Sequence, residues 1–149
     1  MSIIFVIGPA ASGKSTYIKE NFPDYKVVDI YDFQKNQLVS TVESTWISYH
    51  KAKDALIKAL KEYDNVVLEH TLLRAERRPM YIDAVREVTK EPIDVIVFNL
   101  PASTIAERRI ERSPMINYDT ALNYAEMELD LLEIPTKEEG FNNITIISK

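Results

Sequence analysis

The stretch IIFVIGPAASGKST, residues 3–16, decides how this chain folds. Its first five residues are apolar and predict a buried strand, and the pattern G-x-x-x-x-G-K-S follows directly in residues 8–15. A short helical pattern begins at Lys14. The pattern therefore stands between a strand and a helix, which is the setting that a phosphate-binding loop requires.

Each residue type in this loop has a physical task. Gly8 lets the chain leave the strand sharply, and Gly13 lets the backbone approach a phosphate with no Cβ in the way. The N–H groups of the loop and of the helix N-terminus then point at the anion. Lys14 can reach the β- and γ-phosphates, and the Ser15 hydroxyl can ligate Mg²⁺. The predicted binding set for ATP or GTP is Gly8, Ala11, Ser12, Gly13, Lys14, Ser15 and Thr16.

Length and composition predict one domain over residues 1–149, and the hydrophobic content of 46% supports a sizeable core. No apolar run approaches the ~20 residues that a membrane-spanning helix needs. The first strand has no basic segment before it, which predicts no signal peptide. The absence of cysteine excludes disulfides and thiolate metal sites. We therefore expect a cytoplasmic protein that does not bind membranes.

The charge distribution limits the partners that we expect. A net charge of −5 and a pI near 5.1 argue against extensive binding to duplex nucleic acid, which usually needs a basic face. The arginines are nevertheless clustered, so a local basic groove is compatible with the sequence. They form two groups: Arg74, Arg77 and Arg78, and Arg108, Arg109 and Arg112.

Strand and helix patterns alternate along the whole chain, which predicts an α/β fold with a parallel sheet between two layers of helices. We expect Trp46 to pack in the core, on an apolar helical stripe, with a break in that helix near residues 40–44. We also expect Asp119 to cap a helix. The predicted strands are 3–7, 25–29, 65–69, 93–100 and 143–147; the predicted helices are 14–21, 31–63, 75–89, 103–112 and one after Asp119.

Acidic residues follow two of these strands. Asp29 ends the second strand, Asp32 lies three residues later, and Glu69 ends the third. Ligands bind at the carboxyl ends of parallel strands, and phosphoryl transfer needs a group that accepts the acceptor's proton. We prefer Asp29 as this base, with Asp32 as the alternative; otherwise they are turn and capping residues. Glu69 is expected near a magnesium ion held by Ser15, or else exposed at a strand end.

The sequence leaves the roles of two sets of arginines and of one histidine undecided. Arg108 and Arg112 lie four residues apart on one helix face, and we expect them to close as a lid over the phosphates, in a lid-like region of about residues 102–118. The alternative is a solvated face with weak ion pairs. The arginines at 74, 77 and 78 either line an acceptor site or are solvated. His70 is more often structural than catalytic.

Four segments resemble the small phosphate-loop kinases of the polynucleotide kinase group, and together they span nearly the whole chain. The helix with Arg108 and Arg112 and the E-x-P…E-G-F tail are more specific than the loop. The segments are residues 8–16, residues 66–71 with 76–78, residues 98–101 with Arg108 and Arg112, and residues 133–141.

The resemblance implies a phosphate-loop NTPase fold with a five-stranded parallel sheet in the nucleotide-kinase order 2-3-1-4-5. It also implies ATP-dependent phosphorylation of a hydroxyl, often a nucleic acid 5′-hydroxyl, with Arg108 as the lid arginine. The family usually has two acids, an aromatic or aliphatic residue and then an arginine after the second strand. Residues 29–34 lack this arginine, whether Asp29 is aligned with the family base or Asp32 with the second family acid. His70 stands where the family has an acid before Thr71.

Three functions follow as hypotheses. The first is an ATP- or GTP-dependent kinase that transfers the γ-phosphate to a polynucleotide 5′-hydroxyl or a nucleoside. The second is a kinase for another small hydroxyl compound, which suits the acidic pI and the missing arginine. The third is a nucleotide-binding regulatory or toxin-like protein with little turnover.

Overall fold

A computed structural model describes residues 1–35 and 41–149. Its centre is a five-stranded sheet in which every neighbouring pair is parallel and the strand order is β2-β3-β1-β4-β5. This confirms the predicted fold class and strand order. The strands are β1 (Ser2–Ile7), β2 (Lys26–Asp29), β3 (Asn65–His70), β4 (Ile93–Phe98) and β5 (Phe141–Ile147).

Helices cover both faces of the sheet. Residues of β1 alternate between two cores: Phe5 packs with Leu56 and Tyr81 on one face, and Val6 packs with Ile105 on the other. The molecule therefore has the predicted three layers, with α2 and α3 on one side and α1, α4 and α5 on the other. The helices are α1 (Lys14–Asn21), α2 (Val42–Glu62), α3 (Pro79–Val88), α4 (Ala102–Arg112) and α5 (Tyr118–Leu131).

The predicted helical segment over residues 31–63, with its break near residues 40–44, is confirmed as an α-helix only in its second part. Residues Ile30–Phe33 form a 3₁₀ turn instead, and α2 begins at Val42. The Thr41 hydroxyl accepts a hydrogen bond from the Ser44 N–H, and the Ser44 hydroxyl accepts one from the Thr41 N–H. This reciprocal cap fixes the start of α2 within the predicted break. Residues 36–40 of the predicted segment, including Ser40 of that break, lie outside the described residues.

The prediction that Trp46 packs in the core is wrong, because its side chain is exposed at 51%. Helix α2 has 21 residues and so extends roughly 31 Å, whereas the six residues of β3 extend roughly 20 Å. Tyr49 already contacts His70, the last residue of β3. The first turns of α2, with Trp46, therefore project past the carboxyl edge of the sheet.

Other boundaries differ by smaller amounts. Asn117, not Asp119, caps α5, because its side chain accepts the Thr120 N–H at 2.8 Å. Helix α3 begins at Pro79 after a separate 3₁₀ turn over Ala75–Arg77, since proline suits the first helical position. In the described part of the chain, no helix is both long and apolar enough to cross a bilayer.

Candidate active site

The phosphate loop is shaped by close contacts that only glycine allows. Gly8 has φ +146°, and a Cβ there would lie 2.8 Å from the Phe98 Cβ and 2.9 Å from the Phe98 carbonyl oxygen. Gly13 has φ +102°, and its Cβ would lie 2.6 Å from the Arg108 guanidinium. Both glycines also adopt backbone conformations that other residues rarely take. The loop therefore passes directly beneath β4 and α4.

Lys14 lies folded across this loop. Its ammonium group donates hydrogen bonds of 2.8 Å to the carbonyl oxygens of Gly8 and Pro9. The side chain is buried, and burial lowers the pKa of Lys14 to about 8, against the opposing charges of Glu69 and Glu128. A bound phosphate would give this ammonium group a negatively charged hydrogen-bond partner in place of the two neutral carbonyl oxygens.

Ser15 and Glu69 meet at the carboxyl edge of the sheet. The Ser15 hydroxyl donates a 2.5 Å hydrogen bond to Glu69 Oε2, and Asp29 is the register partner of Glu69 on β2. Burial raises the pKa of both carboxyl groups above the ordinary values. Hydroxyl and carboxylate oxygens are ligands that Mg²⁺ prefers beside substrate phosphates, so Ser15 and Glu69 fit that ion. Among residues 1–35 and 41–149, no group of three or more acidic or histidine side chains is arranged to hold a metal ion.

The two candidate bases have different surroundings. Asp29 is half-buried, and its carboxylate accepts the Tyr31 N–H at 2.9 Å. Asp32 is exposed and forms an ion pair of 3.6 Å with Lys35. Both line a pocket of about 360 Å³ between β2 and α2. Neither lines the larger cavity over the phosphate loop. Asp29 nevertheless interacts electrostatically with Lys14 and Arg112, which line the larger cavity, and is the register partner of Glu69.

A cavity of about 600 Å³ lies over the loop and brings most of the predicted site together. Arg108 crosses it to donate a hydrogen bond to the Ser12 carbonyl oxygen, and Arg112 lines it from the next turn of α4. Arg109 instead lies over the Tyr124 ring, 4.6 Å from its centroid. The cavity is lined by residues 11–17 and by Glu20, Glu69, Phe98, Leu100, Arg108, Glu111, Arg112, Ile147 and Lys149.

Sequence reasoning missed Glu128 on α5. Its carboxylate accepts the Ala10 N–H at 3.4 Å, and its other oxygen is buried without a hydrogen-bond partner within the described ranges. Burial raises the pKa of this carboxyl group. The available signal was its spacing, because Ala121, Ala125 and Glu128 are the three buried residues of α5 and share one helical face.

His70 has a structural environment. Its Nδ1 accepts the Thr71 N–H at 2.9 Å, so the proton resides on Nε2, which lies 3.1 Å from the Tyr81 hydroxyl oxygen. That hydroxyl in turn donates to the Tyr49 carbonyl oxygen at 3.1 Å. Burial lowers the pKa of His70 to about 3, so the ring stays neutral.

Of the arginines at 74, 77 and 78, Arg78 is fully buried and structural. Its guanidinium donates to Glu139 at 2.9 and 3.2 Å and to the carbonyl oxygens of Leu72, Leu73 and Glu133. It therefore joins the end of β3 to the E-x-P…E-G-F tail. Arg74 is exposed and pairs with Glu76 and Glu133 at 3.6 Å. Arg77 is exposed beside Tyr49.

Comparisons with solved structures agree with this architecture. A gluconokinase from Sinorhizobium meliloti 1021 is 18% identical, with a TM-score of 0.64 over 99% of this chain and 82% of its own. A sugar kinase from Janibacter sp. HTCC2649 is 16% identical, with a TM-score of 0.64 over 99% of this chain and 85% of its own. At this identity the likeness shows the fold alone.

A chain of the Pnkp1/Rnl/Hen1 RNA repair complex is 20% identical, with a TM-score of 0.68 over 87% of this chain. This chain covers 44% of the length of that protein. No curated protein sequence matches. The sequence does match the family described as AAA domain over residues 3–126. Because that match spans most of its length, the chain belongs to the AAA domain family, and its fold is that of the phosphate-loop kinases.

Proposed function

We propose that this protein is an ATP-dependent kinase that transfers the γ-phosphate to a hydroxyl group. The observation that carries the proposal is one cavity lined by the loop residues, Lys14, the Ser15–Glu69 pair and two arginines of α4. Phosphoryl transfer is catalysed mainly by positioning and by neutralising charge, and these groups supply both. GTP is the alternative donor.

In the proposed mechanism, loop N–H groups hold the phosphates and Lys14 turns from the Gly8 and Pro9 carbonyl oxygens to the β- and γ-phosphates. Ser15 and Glu69 would hold Mg²⁺, which neutralises phosphate charge when bound. Arg108 and Arg112 close over the transferring group as a lid and exclude water. The Arg108 guanidinium already contacts the loop at the Ser12 carbonyl oxygen, which supports a short closing movement.

We assign the base to Asp29. The acceptor oxygen attacks the γ-phosphorus, the bond from that phosphorus to the β–γ bridging oxygen breaks, and the acceptor's proton passes to the Asp29 carboxylate. Burial raises the pKa of Asp29 and makes it a better proton acceptor than an exposed carboxylate. Asp32 is the alternative, but its carboxylate is exposed and paired with Lys35.

For the acceptor, we propose a polynucleotide 5′-hydroxyl or a nucleoside. The similarity to the RNA repair chain supports this choice. The alternative acceptor is a small non-nucleic-acid alcohol, which the likeness to a gluconokinase and a sugar kinase favours. A nucleotide-binding regulatory or toxin-like protein with little turnover is the remaining candidate, because the region after β2 departs from the family pattern. We propose a cytoplasmic location for each of them.

An acceptor panel separates these candidates. The protein is incubated with γ-labelled ATP and Mg²⁺ and with 5′-hydroxyl oligonucleotides, nucleosides, gluconate and simple sugars. We expect label on the oligonucleotides or nucleosides. Label on sugars or sugar acids alone would show that the acceptor is a small alcohol and not a nucleic acid or nucleoside. Tight ATP binding without transfer to any acceptor would favour the regulatory protein.

A further inference from the structure

A second groove lies beside the phosphate loop, between the N-terminal ends of α2 and α3. It encloses about 340 Å³ and is lined by Trp46, Tyr49, Glu76, Arg77 and Met80. We call it the Trp46 groove. Both helices follow strands whose carboxyl ends form the loop's edge of the sheet, so the groove opens at the same edge as the cavity over the loop.

Trp46 presents an exposed aromatic ring at this edge of the sheet. Its indole is half exposed, and its contact with the His50 ring is edge to face, with 4.6 Å between centroids. An exposed large aromatic side chain on a structured helix leaves apolar area in water, which a stacked ring would cover. The beginning of α2 is fixed by the Thr41 cap, so the indole projects from an ordered helix.

The floor of the groove rests on a buried hydrogen-bonded network. Tyr49 packs perpendicular to His70 at 4.7 Å, and its carbonyl oxygen accepts the Tyr81 hydroxyl. Arg77 directly precedes Arg78, whose buried guanidinium holds the chain at this point. A rigid floor of this kind lowers the entropic cost of binding a ligand.

The same network joins the groove to the phosphate loop. The Thr71 side chain interacts with the Tyr49 hydroxyl and opposes the rise that burial causes in the pKa of Tyr49. The carbonyl oxygen of Thr71 accepts the Gly8 N–H at 3.1 Å, and His70 is the register partner of Ile7. Thr71 therefore contacts both the first glycine of the loop and Tyr49 of the groove, so the groove adjoins the edge of the sheet that carries the loop.

One charged side chain of the groove, that of Arg77, is available to bind an anion. Glu76 is engaged by Arg74, which also pairs with Glu133. Arg77 is exposed and has no carboxylate within ion-pair distance among residues 1–35 and 41–149. A planar guanidinium matches a phosphate in shape and charge. The groove thus pairs an aromatic face with an anion-binding group.

Resting on the proposed function, we infer that the Trp46 groove binds the 5′-terminal nucleotide of the acceptor. The base stacks on the Trp46 indole, and the Arg77 guanidinium binds the phosphate on the 3′ side of that nucleotide. Among the proposed acceptors, the groove therefore favours a nucleoside 3′-phosphate or a polynucleotide end over a free nucleoside. A sugar acid would satisfy Arg77 but has no π face for the indole, so the groove favours the nucleotide.

Trp46 is the single tryptophan of the chain, so its fluorescence reports this groove directly. The wild-type protein is titrated with adenosine 3′-phosphate, adenosine, gluconate and inorganic phosphate without ATP. We expect adenosine 3′-phosphate to quench the emission saturably and to bind about tenfold more tightly than adenosine. Equal binding of both, quenching by gluconate alone, or no saturable quenching at millimolar concentrations would overturn the inference.

Variants separate this inference from the kinase assignment. Arg77→Gln should weaken adenosine 3′-phosphate about tenfold and leave adenosine unchanged, whereas the control Arg86→Gln, exposed on α3, should change neither. Trp46→Phe should weaken both, measured by calorimetry, without changing ATP affinity. Lys14→Ala should abolish transfer yet keep the quenching. If both groove variants transfer phosphate at the normal rate, the Trp46 groove does not bind the acceptor. If the ligand quenches the fluorescence but no transfer occurs, only the kinase assignment is refuted.

Discussion

The Ser15 hydroxyl lies 2.5 Å from Glu69 Oε2 and donates a hydrogen bond to it, across 54 residues of sequence. This contact joins the first turn of α1 to the end of β3 and places the two oxygens that we assign to Mg²⁺ side by side. We predict that Glu69→Gln raises the Mg²⁺ concentration for half-maximal transfer at least tenfold, because the amide keeps the shape but loses the charge. Glu107→Gln, exposed on α4, is the matched control. An unchanged Mg²⁺ requirement would remove Glu69 from the metal site.

Lys14 should make ATP affinity depend on pH. Its pKa is lowered to about 8 in the free protein, and bound phosphate favours the charged form and raises that pKa. Below pH 8 the ammonium is already charged and contributes no pH dependence. Above pH 8 binding must first restore its proton, so the Kd should rise toward tenfold per pH unit.

Calorimetry between pH 7 and 9.5 measures this dependence. Lys14→Arg is the informative comparison, because guanidinium stays charged across the range and its Kd should be flat. A wild-type Kd that is equally flat would show that the Lys14 pKa is not lowered in the free protein.

Arg78 should matter for stability. Its guanidinium is buried and binds Glu139 and three carbonyl oxygens, so Arg78→Met leaves the Glu139 carboxylate and those carbonyl groups without their partner. We expect a loss of roughly 3–5 kcal/mol in the free energy of unfolding, seen as a shift of the urea midpoint. The exposed ion pairs of Arg74 should contribute no more than about 1 kcal/mol, so Arg74→Met is the control. Equal losses would contradict the structural role of Arg78.

Glu128 should weaken nucleotide binding. Its carboxylate bonds to the Ala10 N–H of the loop and interacts electrostatically with Lys14, where phosphate charge arrives. Glu128→Gln keeps an acceptor for Ala10 and removes the like charge, so we expect ATP to bind roughly fivefold more tightly at neutral pH. Asp130→Asn, exposed on α5 two residues after Glu128, should have no effect. Weaker binding by Glu128→Gln would mean that the charge supports the site.

The sequence predicts the central architecture well because its signals are local. The β1–loop–α1 segment needs only apolar residues, two glycines and Lys14 in order, and strand–helix alternation then constrains the sheet to be parallel. Glu69 was placed at a strand end by the same logic, and it lines the cavity. These features depend on neighbours in sequence.

The failures have a common physical cause, which is tertiary context. The apolar stripe of α2 places Trp46 on the core face, but the helix is longer than the strand beneath it. Arg78 looks like its exposed neighbours, and only its long-range contact with Glu139 buries it. The spacing of Glu128 places it on the buried face of α5, but its contact with the phosphate loop joins residues 118 positions apart. No local pattern contains such distances.

The most direct test of the central claim is transfer of label from γ-labelled ATP to a 5′-hydroxyl dinucleotide by wild type, Lys14→Ala and Lys19→Ala. Lys19 is exposed on α1 and serves as the control. We predict labelled product with wild type and Lys19→Ala, and a loss of at least a hundredfold with Lys14→Ala. Product formed at the wild-type rate by Lys14→Ala would contradict the account, as would an absence of product with wild type.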